Sequence, residues 1–338
     1  MNPFSEVKSP PPANRLVNSA IRKAFRVAPK KRKLLIENAR AREILRVKTM
    51  FSTVCDALKL VVRSYPNISE VHPFYRELAS LVVNVDELRH SLGALEWASR
   101  ALRSVMREVV SELRRADNTE EMRKIRNRGI ARLSSLVDRI RNEIEYVRKS
   151  SKRLRALPNV DTSSLSVIVA GMPNTGKSSL MRKLSSGNPE VAPYPFTTKG
   201  VLIGHKDVVG IGRIQYVDTP GLLDRPLSGR NEMELQAIAA MKYLDGIVLF
   251  LIDPTESCGF TIEEQTRVLN EIKDFLKKPM LIVLNKKDIW NDECRKRAEF
   301  LRKDSVEISA LTGEGILDLE RKVSDLLKEV FLKRLRAP

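Results

Sequence analysis

Cysteine, histidine and aromatic residues are scarce in this 338-residue chain, and no apolar run is long. Cys55, Cys258 and Cys294 have no paired spacing, which argues against a disulfide framework and favours a reducing compartment. Three scattered histidines are a poor basis for a zinc site, and 5% aromatic residues do not favour stacking on single strands. The run Ile247–Ile252 is too short to cross a bilayer, and the proline-rich first twelve residues do not resemble a signal peptide. These absences predict a cytoplasmic protein without a membrane span.

Positive charge is in excess and unevenly placed. The net charge is +18, and residues 1–155 contain 34 Lys and Arg against 17 Asp and Glu. Residues 156–338 contain 26 against 25 and are nearly neutral. This asymmetry predicts two domains with different partners.

The first half has the apolar periodicity of helices. The pattern predicts four of them: residues 37–63, one from about residue 72 with Pro73 in its first turn, residues 86–115, and one from Thr119 to the linker. Such helices are typical of an antiparallel bundle. We therefore expect a proline-rich segment at 1–12, a basic helical bundle at 13–156, a linker at 157–164 and a second domain at 165–338.

The basic half has two interpretations. A solvated surface of paired charges is the ordinary one, but here bases outnumber acids two to one. A polyanion would neutralise this excess, and the low aromatic content favours recognition of folded RNA through shape and phosphates. An acidic protein or a membrane surface is the alternative partner. The predicted RNA contacts lie in the run before Glu37: Arg22, Lys23, Arg26, Lys30, Lys31, Arg32 and Lys33.

The second half opens with a phosphate-binding motif. Residues 171–178 read G-x-x-x-x-G-K-S, between the apolar strand 165–170 and a segment that can continue as a helix. The glycines let backbone N–H groups turn toward a phosphate, Lys177 supplies a positive charge, and Ser178 can hold Mg²⁺. The motif indicates a nucleoside triphosphate but does not identify the base.

Strands and helices alternate after this motif, which predicts a mostly parallel sheet with one antiparallel strand and helices on both faces. The predicted strands are 165–170, 200–206, 213–218, 246–252, 280–284 and 305–308. The predicted helices are about 177–185, 232–242, 261–276, 292–302 and 316–331.

Three further motifs follow predicted strands, where ligands bind in an open α/β sheet. In the first, Asp218 can reach Mg²⁺ through water and the Gly221 N–H can contact a γ-phosphate. In the second, the Asp288 carboxylate can accept from N1–H and the 2-amino group of guanine, donors that adenine lacks, while the Lys286 stem can lie over the base. In the third, the Ala310 N–H can meet guanine O6. Together these motifs predict GTP rather than ATP.

The segment 188–200 lies between the phosphate loop and the hairpin and is the predicted first switch. A threonine there closes on Mg²⁺ and the γ-phosphate when GTP is bound and releases them after hydrolysis. Thr197 and Thr198 are both candidates, and we favour Thr198. Phe196 precedes them and is predicted to line the nucleotide site.

The motifs resemble the Obg-related GTPases in Gly-x-Pro-Asn-x-Gly-Lys-Ser, Tyr-Pro-Phe-Thr-Thr and Asp-Thr-Pro-Gly-Leu-Leu-Asp. More narrowly, the segments at 72–75, 154–158, 196–199, 224–227 and 230–238 resemble the nucleolar GTP-binding protein 1 family. The resemblance covers about residues 10–330. It implies a helical bundle joined to a P-loop GTPase domain and a role in assembling the large ribosomal subunit. The short length is similar to that expected of an archaeal member.

The resemblance also implies partners and cofactors: GTP or GDP, ribosomal RNA of the large subunit, other assembly factors, Mg²⁺ and K⁺, with a monomeric protein expected. Ras-like enzymes orient water with a glutamine where this chain has Leu222, which cannot bond a nucleophile. In related GTPases an asparagine at the place of Asn174 ligates K⁺; the alternative is that it only shapes the loop. A regulatory GTPase whose bundle binds protein or membrane is the second functional hypothesis.

The predicted site residues are as follows. Catalytic roles are assigned to Asn174, Lys177, Thr198 and Gly221. Metal contacts are assigned to Ser178, Thr198 and Asp218 for Mg²⁺ and to Asn174 for K⁺. Nucleotide contacts are assigned to Gly171, Pro173, Asn174, Thr175, Gly176, Lys177, Ser178, Ser179, Phe196, Thr197, Thr198, Asp218, Gly221, Asn285, Lys286, Asp288, Ser309, Ala310 and Leu311.

Overall fold

A computed structural model gives the structure of the protein. It describes residues 1–28, 34–187, 189–195, 197, 200–218, 221 and 223–336. Several predicted site residues lie outside this described part: Lys30, Lys31, Arg32, Lys33, Phe196, Thr198 and Leu222. No helix within it is long and apolar enough to cross a membrane.

Contacts divide the chain into two compact units. The sheet unit comprises Met1–Pro3, Val71–Leu81 and Ala156–Pro338, and the helical unit comprises Phe4–Glu70 and Val82–Arg155. The predicted division assigned residues 13–156 to one bundle, whereas in the structure Val71–Leu81 groups with the sheet.

Long amphipathic helices build the first half of the chain. Arg40, near the start of one long helix, donates to the carbonyl of Ala116, just past the end of another, at 2.9 Å. The Cys55 thiol and the Ser99 carbonyl meet halfway along the same pair, so these two helices are antiparallel. The helices are α1 (Ala13–Arg26), α2 (Leu35–Ser64), α3 (Pro73–Val82), α4 (Val85–Arg115), α5 (Thr119–Arg139) and α6 (Arg141–Arg155).

Two features of the helical half differ from the sequence prediction. The first is α1, which lies in the part expected to be helical but was not delimited as a separate helix; it begins directly after Pro12 and buries Leu16, Ala20 and Ala24. The second is a break at Ile140, where φ is −105° and ψ is 21°, so the single helix predicted from Thr119 to the linker was wrong. Because Ile140 and Ile144 keep the i, i+4 spacing across the break, the apolar stripe does not reveal it.

A seven-stranded sheet forms the sheet unit, in the order β2-β3-β4-β1-β5-β6-β7. The third strand runs antiparallel to both of its neighbours and the other pairings are parallel, as predicted. The strand β2 was not predicted and lies inside the segment expected to be the first switch. The strands are β1 (Ser166–Ala170), β2 (Glu190–Ala192), β3 (Val201–Val208), β4 (Gly212–Asp218), β5 (Gly246–Ile252), β6 (Met280–Leu284) and β7 (Ser305–Glu307).

Five further helices, all close to their predicted bounds, surround this sheet. Alternate residues of a strand point to opposite faces, and Val167 and Val169 pack in one buried cluster with residues of α7 and α11. The helix α9 contacts β5. These helices are α7 (Lys177–Leu184), α8 (Glu232–Ala240), α9 (Ile262–Leu276), α10 (Asp292–Arg302) and α11 (Ile316–Arg336).

The helix α3 is tied to the segment that leads into β1. The Tyr75 hydroxyl donates to the Val160 carbonyl at 2.6 Å and accepts from the Val160 N–H at 2.9 Å. Both groups are buried, and burial raises the pKa of Tyr75. The residues expected to be a linker therefore include a buried, hydrogen-bonded connection, which explains why α3 groups with the sheet unit.

Candidate functional site

Glycines are required at both ends of the phosphate loop. Gly171 has φ of +136°, and a Cβ added there would lie 2.5 Å from the Leu251 carbonyl oxygen. Gly176 has φ of +102°, and an added Cβ would lie 2.2 Å from Nδ2 of Asn285. Side chains at these positions would strain the backbone and collide with fixed neighbours. The backbone of the loop is therefore restricted to one conformation between β1 and α7.

Lys177 is held across this loop. Its Nζ donates to the carbonyls of Gly171 at 2.7 Å and Met172 at 2.8 Å. Burial lowers the pKa of Lys177, while the negative charges of Asp218 and Asp224 act in the opposite direction. The ammonium group is thus fixed at the loop with two carboxylates near it, as a residue for binding phosphate requires.

The other loop residues have different surroundings. The buried Thr175 hydroxyl donates to the Met172 carbonyl at 2.9 Å. Asn174 is exposed and has φ of +60°, a left-handed conformation that asparagine adopts more readily than most residues. Pro173 is half-buried and Ser179 is exposed.

Two oxygen ligands suited to Mg²⁺ meet beside the loop. The Ser178 hydroxyl donates to Oδ2 of Asp218 at 3.1 Å, because β1 and β4 are parallel neighbours and their carboxyl ends share one edge. No group of three or more His, Cys, Asp or Glu residues able to hold a metal occurs in the described part of the chain. Mg²⁺ binds through one or two carboxylates together with water and phosphates, so this pair fits it.

Asn285 joins three loops at the same edge. Its Nδ2 donates to the Thr175 carbonyl at 2.7 Å, and its Oδ1 accepts from the Ala310 N–H at 2.9 Å. The side chain is 2% exposed. The phosphate loop and the loops after β6 and β7 are therefore connected through one carboxamide. The Ala310 N–H, predicted to meet guanine O6, contacts Asn285 in the structure.

Lys286 lies beside Asn285 but points to another partner. Its Nζ donates to Oδ2 of Asp253 at 2.7 Å and to the Ser257 hydroxyl at 2.8 Å. Asp253 is fully buried, which alone would raise its pKa, but hydrogen bonds from Lys286 and Thr255 bring the pKa below its usual range. The sequence prediction missed Asp253, although it directly follows β5 at the same edge as the predicted motifs.

The residues predicted to contact the base lie around this connection. Asp288 is exposed in a short 3-10 turn, Lys287–Ile289, and has no hydrogen-bond or ion-pair partner among the residues that the structure describes. The buried Ser309 hydroxyl accepts from the Thr312 N–H at 3.1 Å, and Leu311 is exposed. Asp288 is therefore accessible to a ligand, whereas Ser309 shapes its own loop.

The predicted first switch contacts other parts of the sheet unit, and so does the segment after β4, here named the second switch segment, which includes the family-like residues 224–227 and 230–238. The Thr197 hydroxyl donates to the Tyr194 carbonyl at 3.0 Å, and the Tyr194 hydroxyl donates to the Ala237 carbonyl in α8 at 2.9 Å. After β4, the Gly221 N–H donates to Asp224 at 2.7 Å. The buried Leu223 accepts a hydrogen bond from the Gly171 N–H at 3.0 Å. The second switch segment is thus attached to the phosphate loop.

The helical unit has a basic surface. Arg22, Lys23 and Arg26 on α1 are exposed and line an open cleft of about 390 Å³. A second cleft of about 530 Å³ is lined by residues of α2 and α5, among them four arginines and two glutamates: Arg42, Arg46, Arg123, Arg126, Glu43 and Glu120.

Within this second cleft one glutamate is internally paired. Glu43 is buried and accepts from Arg46 at 2.7 Å and from Arg126 at 3.0 Å. Both guanidinium groups lie over the ring of Phe25, 4.6 and 5.4 Å from its centroid. Arg46 and Arg126 are therefore held in place, and their charge is partly neutralised before any partner binds.

Comparison with known proteins identifies the family. Residues 4–161 match the family model of the NOG1 N-terminal helical domain, and residues 232–288 match that of nucleolar GTP-binding protein 1 (NOG1). The chain belongs to the nucleolar GTP-binding protein 1 family. Its helical unit followed by a P-loop GTPase fold is the arrangement that the sequence predicted.

Several relatives are similar over most of this chain. An uncharacterized protein of Methanocaldococcus jannaschii is 38% identical over 86% of this chain and 83% of its own length. Nucleolar GTP-binding protein 1 of Caenorhabditis elegans is 32% identical over 99% of this chain and 50% of its own length, and that of Saccharomyces cerevisiae is 30% identical over 96% and 52%. The chain thus spans about half the length of these nucleolar relatives.

A solved structure is also similar. A crystal structure described as nucleolar GTP-binding protein 1 of Plasmodium falciparum is 31% identical, with a TM-score of 0.46, and covers 53% of this chain and 94% of that chain. An archaeal source for the present chain stays a prediction.

The connection through Asn285 can be tested by removing its carboxamide. In Asn285→Ala the Thr175 carbonyl and the Ala310 N–H lose a buried partner, which we expect to cost about 1–3 kcal/mol of unfolding free energy. GDP and GTP affinities should fall together, because the loop that binds their shared phosphates loses its support.

Urea unfolding followed by Trp290 fluorescence in a Trp97→Phe background reports on the sheet unit, since the chain has two tryptophans. The matched control is Asn270→Ala, at an exposed position of α9. Equal midpoints for Asn285→Ala and Asn270→Ala would show that the connection contributes nothing.

Proposed function

We propose that this protein is a GTP-hydrolysing switch that assists assembly of the large ribosomal subunit, and that its helical unit docks on ribosomal RNA. The observation that carries the nucleotide part is the connection of three loops through Asn285 at the carboxyl edge of the sheet. That edge is where open α/β sheets bind ligands. The family assignment supports the ribosomal part, because nucleolar GTP-binding proteins are its named relatives.

Guanine selectivity is assigned to Asp288. The carboxylate is exposed beside the loop connection and can accept from both N1–H and the 2-amino group of guanine. Adenine would leave both acceptors unpaired, and a site built for such hydrogen bonds rejects the analogue that lacks them. The proposed ligand is therefore GTP or GDP.

An exchange of acceptor for donor tests this assignment. Xanthine has a carbonyl where guanine has its 2-amino group, so Asp288→Asn should bind guanine nucleotides at least about tenfold more weakly and gain affinity for xanthosine diphosphate. Asp292→Asn, in the first turn of α10, is the matched control. Titration calorimetry with both diphosphates measures the change. If the Asp288→Asn protein keeps full GDP affinity, Asp288 does not determine guanine selectivity.

The chain's own residues supply charge and orientation for the chemistry. Lys177 places a positive charge at the loop, and Ser178 with Asp218 provides the oxygen ligands for Mg²⁺. Bound Mg²⁺ would neutralise phosphate charge. Leucine stands at position 222 where Ras-like enzymes place glutamine, so hydrolysis needs another source of orientation or charge. The slow intrinsic rate that we propose follows from this substitution.

Asn174 is the proposed K⁺ ligand. Its exposed carboxamide projects from the phosphate loop, and a K⁺ there would add the charge that an arginine finger supplies elsewhere. Its φ of +60° is by itself a backbone reason for asparagine at this position. The first explanation requires the carboxamide of Asn174, whereas the second requires only a residue that tolerates the left-handed conformation.

Replacement of Asn174 by glycine distinguishes the two explanations, because glycine accepts the left-handed conformation but has no carboxamide. We expect wild-type hydrolysis to be faster in KCl than in NaCl of equal ionic strength. Asn174→Gly should lose this difference while keeping its GDP affinity within about twofold. Phosphate release under single-turnover conditions is the measurement. Equal wild-type rates in both salts, or a K⁺ effect that survives in Asn174→Gly, contradicts the proposal.

The RNA part rests on charge and its placement. Residues 1–155 contribute +17 of the net charge of +18. Exposed bases of α1 line a cleft of the helical unit. Phosphate contacts of this kind dominate nucleic-acid affinity. A regulatory GTPase whose helical unit binds an acidic protein or membrane surface is the alternative. Other assembly factors as partners, a monomeric state and a cytoplasmic location belong to the same proposal.

Salt dependence tests the RNA contacts. Binding to large-subunit ribosomal RNA should weaken linearly in log affinity against log salt concentration, and replacing Arg22, Lys23 and Arg26 by alanine should reduce that slope by about 2–3. The control replaces three exposed bases elsewhere on the helical unit: Arg139, Lys149 and Lys152. Equal slopes for both triple variants would argue against α1 as the contact, and a wild type that does not cosediment with large subunits at low salt would favour the alternative.

A further inference from the structure

The N–H group of Gly221 already has an anionic partner within the protein. It donates to Oδ2 of Asp224 at 2.7 Å, and Gly221 has φ of +83°. This is the N–H expected to contact the γ-phosphate of GTP. A carboxylate of the same chain therefore occupies the hydrogen bond that the phosphate would need.

Asp224 is held in this position by Arg230. Nη1 of Arg230 donates to the Gly221 carbonyl at 3.0 Å, and Nη2 lies 3.6 Å from Oδ1 of Asp224. The Arg230 side chain is fully buried, and the Asp224 side chain is 16% exposed. Nε and Nη2 of Arg230 have no hydrogen-bond acceptor in the described part of the chain. The guanidinium thus binds the Gly221 peptide on one side and attracts Asp224 on the other.

The backbone around Arg230 is itself fixed. The Arg230 N–H donates to the Leu227 carbonyl at 3.1 Å. The next residue, Asn231, caps α8, and its side chain accepts from the Glu234 N–H at 2.8 Å. The Glu234 carboxylate in turn accepts from the Asn231 N–H at 3.1 Å and also pairs with Arg225 at 2.7 Å. Arg230 therefore lies directly before a capped helix start, and the backbone that positions its guanidinium group is fixed by hydrogen bonds.

Besides occupying the Gly221 N–H, Asp224 would oppose a γ-phosphate through its charge. The charge of Asp224 acts on Lys177, whose ammonium group is expected to contact the β- and γ-phosphates. Two anions cannot share these donors without strong repulsion in a partly buried site. A diphosphate lacks the third phosphate and leaves the contact between Asp224 and Gly221 undisturbed.

We propose that Asp224, positioned by Arg230, is an internal competitor for the γ-phosphate and sets how strongly the site distinguishes GTP from GDP. GTP must displace the carboxylate from the Gly221 N–H, and this exchange makes its net binding free energy less favourable. GDP binds without it. The inference rests on the proposed function, because it assumes that the site binds guanine nucleotides.

Removal of the competing charge should favour the triphosphate alone. In Asp224→Ala the affinity for a non-hydrolysable GTP analogue should rise by about tenfold, while GDP affinity stays within about twofold. Asp224→Asn keeps an acceptor for Gly221 without the charge and should give a smaller rise. Calorimetric titration of each protein with both nucleotides in Mg²⁺ gives the affinity ratio.

Glu232→Gln is the matched control, since it removes an exposed negative charge from the first turn of α8 and should leave the ratio unchanged. An unchanged or lower triphosphate affinity in both Asp224 variants overturns the competitor role. A rise of equal size for both nucleotides also overturns it. A wild-type protein that binds neither nucleotide contradicts the proposed function itself, which is a different result from an unaltered ratio.

Discussion

The buried side chain of Asn285 is the contact on which the site's geometry depends. One carboxamide pairs with the Thr175 carbonyl and the Ala310 N–H, and it stands so close to Gly176 that no other residue fits there. A buried amide that loses its partners is costly, so the three loops are held together whenever the sheet is formed. The phosphate loop and the loops after β6 and β7 thereby acquire a fixed spacing from the fold rather than from a ligand.

Much of the sheet unit follows from local sequence. The phosphate loop can be recognised from the sequence because Gly171 and Gly176 occupy positions that only glycine tolerates. The apolar runs predict six of the seven strands. The strand β2 was missed because its three residues lie between Pro189 and Pro193 and form no apolar run. In the helical half, the break at Ile140 was missed because the apolar spacing continues across it.

Long-range contacts account for the remaining differences. Nothing near Tyr75 in the sequence indicates that its hydroxyl bonds Val160, 85 residues away, so α3 was assigned to the bundle. Likewise, nothing near Ala310 in the sequence indicates that its N–H, assigned to guanine O6, donates to Asn285, 25 residues away. Asp253 was missed because a single charged residue after a strand gives no pattern. Asp224 and Arg230 lie in segments that carry the family resemblance, but the resemblance assigned them no contact. Their roles appear only when their partners are placed in space.

Charge is arranged differently in the two units. Around the phosphate loop, the negative charges of Asp218 and Asp224 act on the buried Lys177. In the helical unit some exposed bases pair with carboxylates, such as Arg128 with Glu112 and Arg132 with Glu108, but bases outnumber acids, and the bases of α1 stay exposed. This difference in charge is the reason why we propose a nucleotide as the ligand of the sheet unit and ribosomal RNA as the partner of the helical unit.

Amide hydrogen exchange of Ala310 in nucleotide-free protein tests the central claim most directly. If Asn285 holds the loops before nucleotide binds, this amide should be protected to within about tenfold of the Ile308 amide, which donates to Leu284 at 2.8 Å. Fragment-resolved mass spectrometry or NMR can follow both. Exchange of Ala310 at the rate of an unstructured peptide, with Ile308 protected, would show that the loops are joined only when the ligand arrives and would contradict the account.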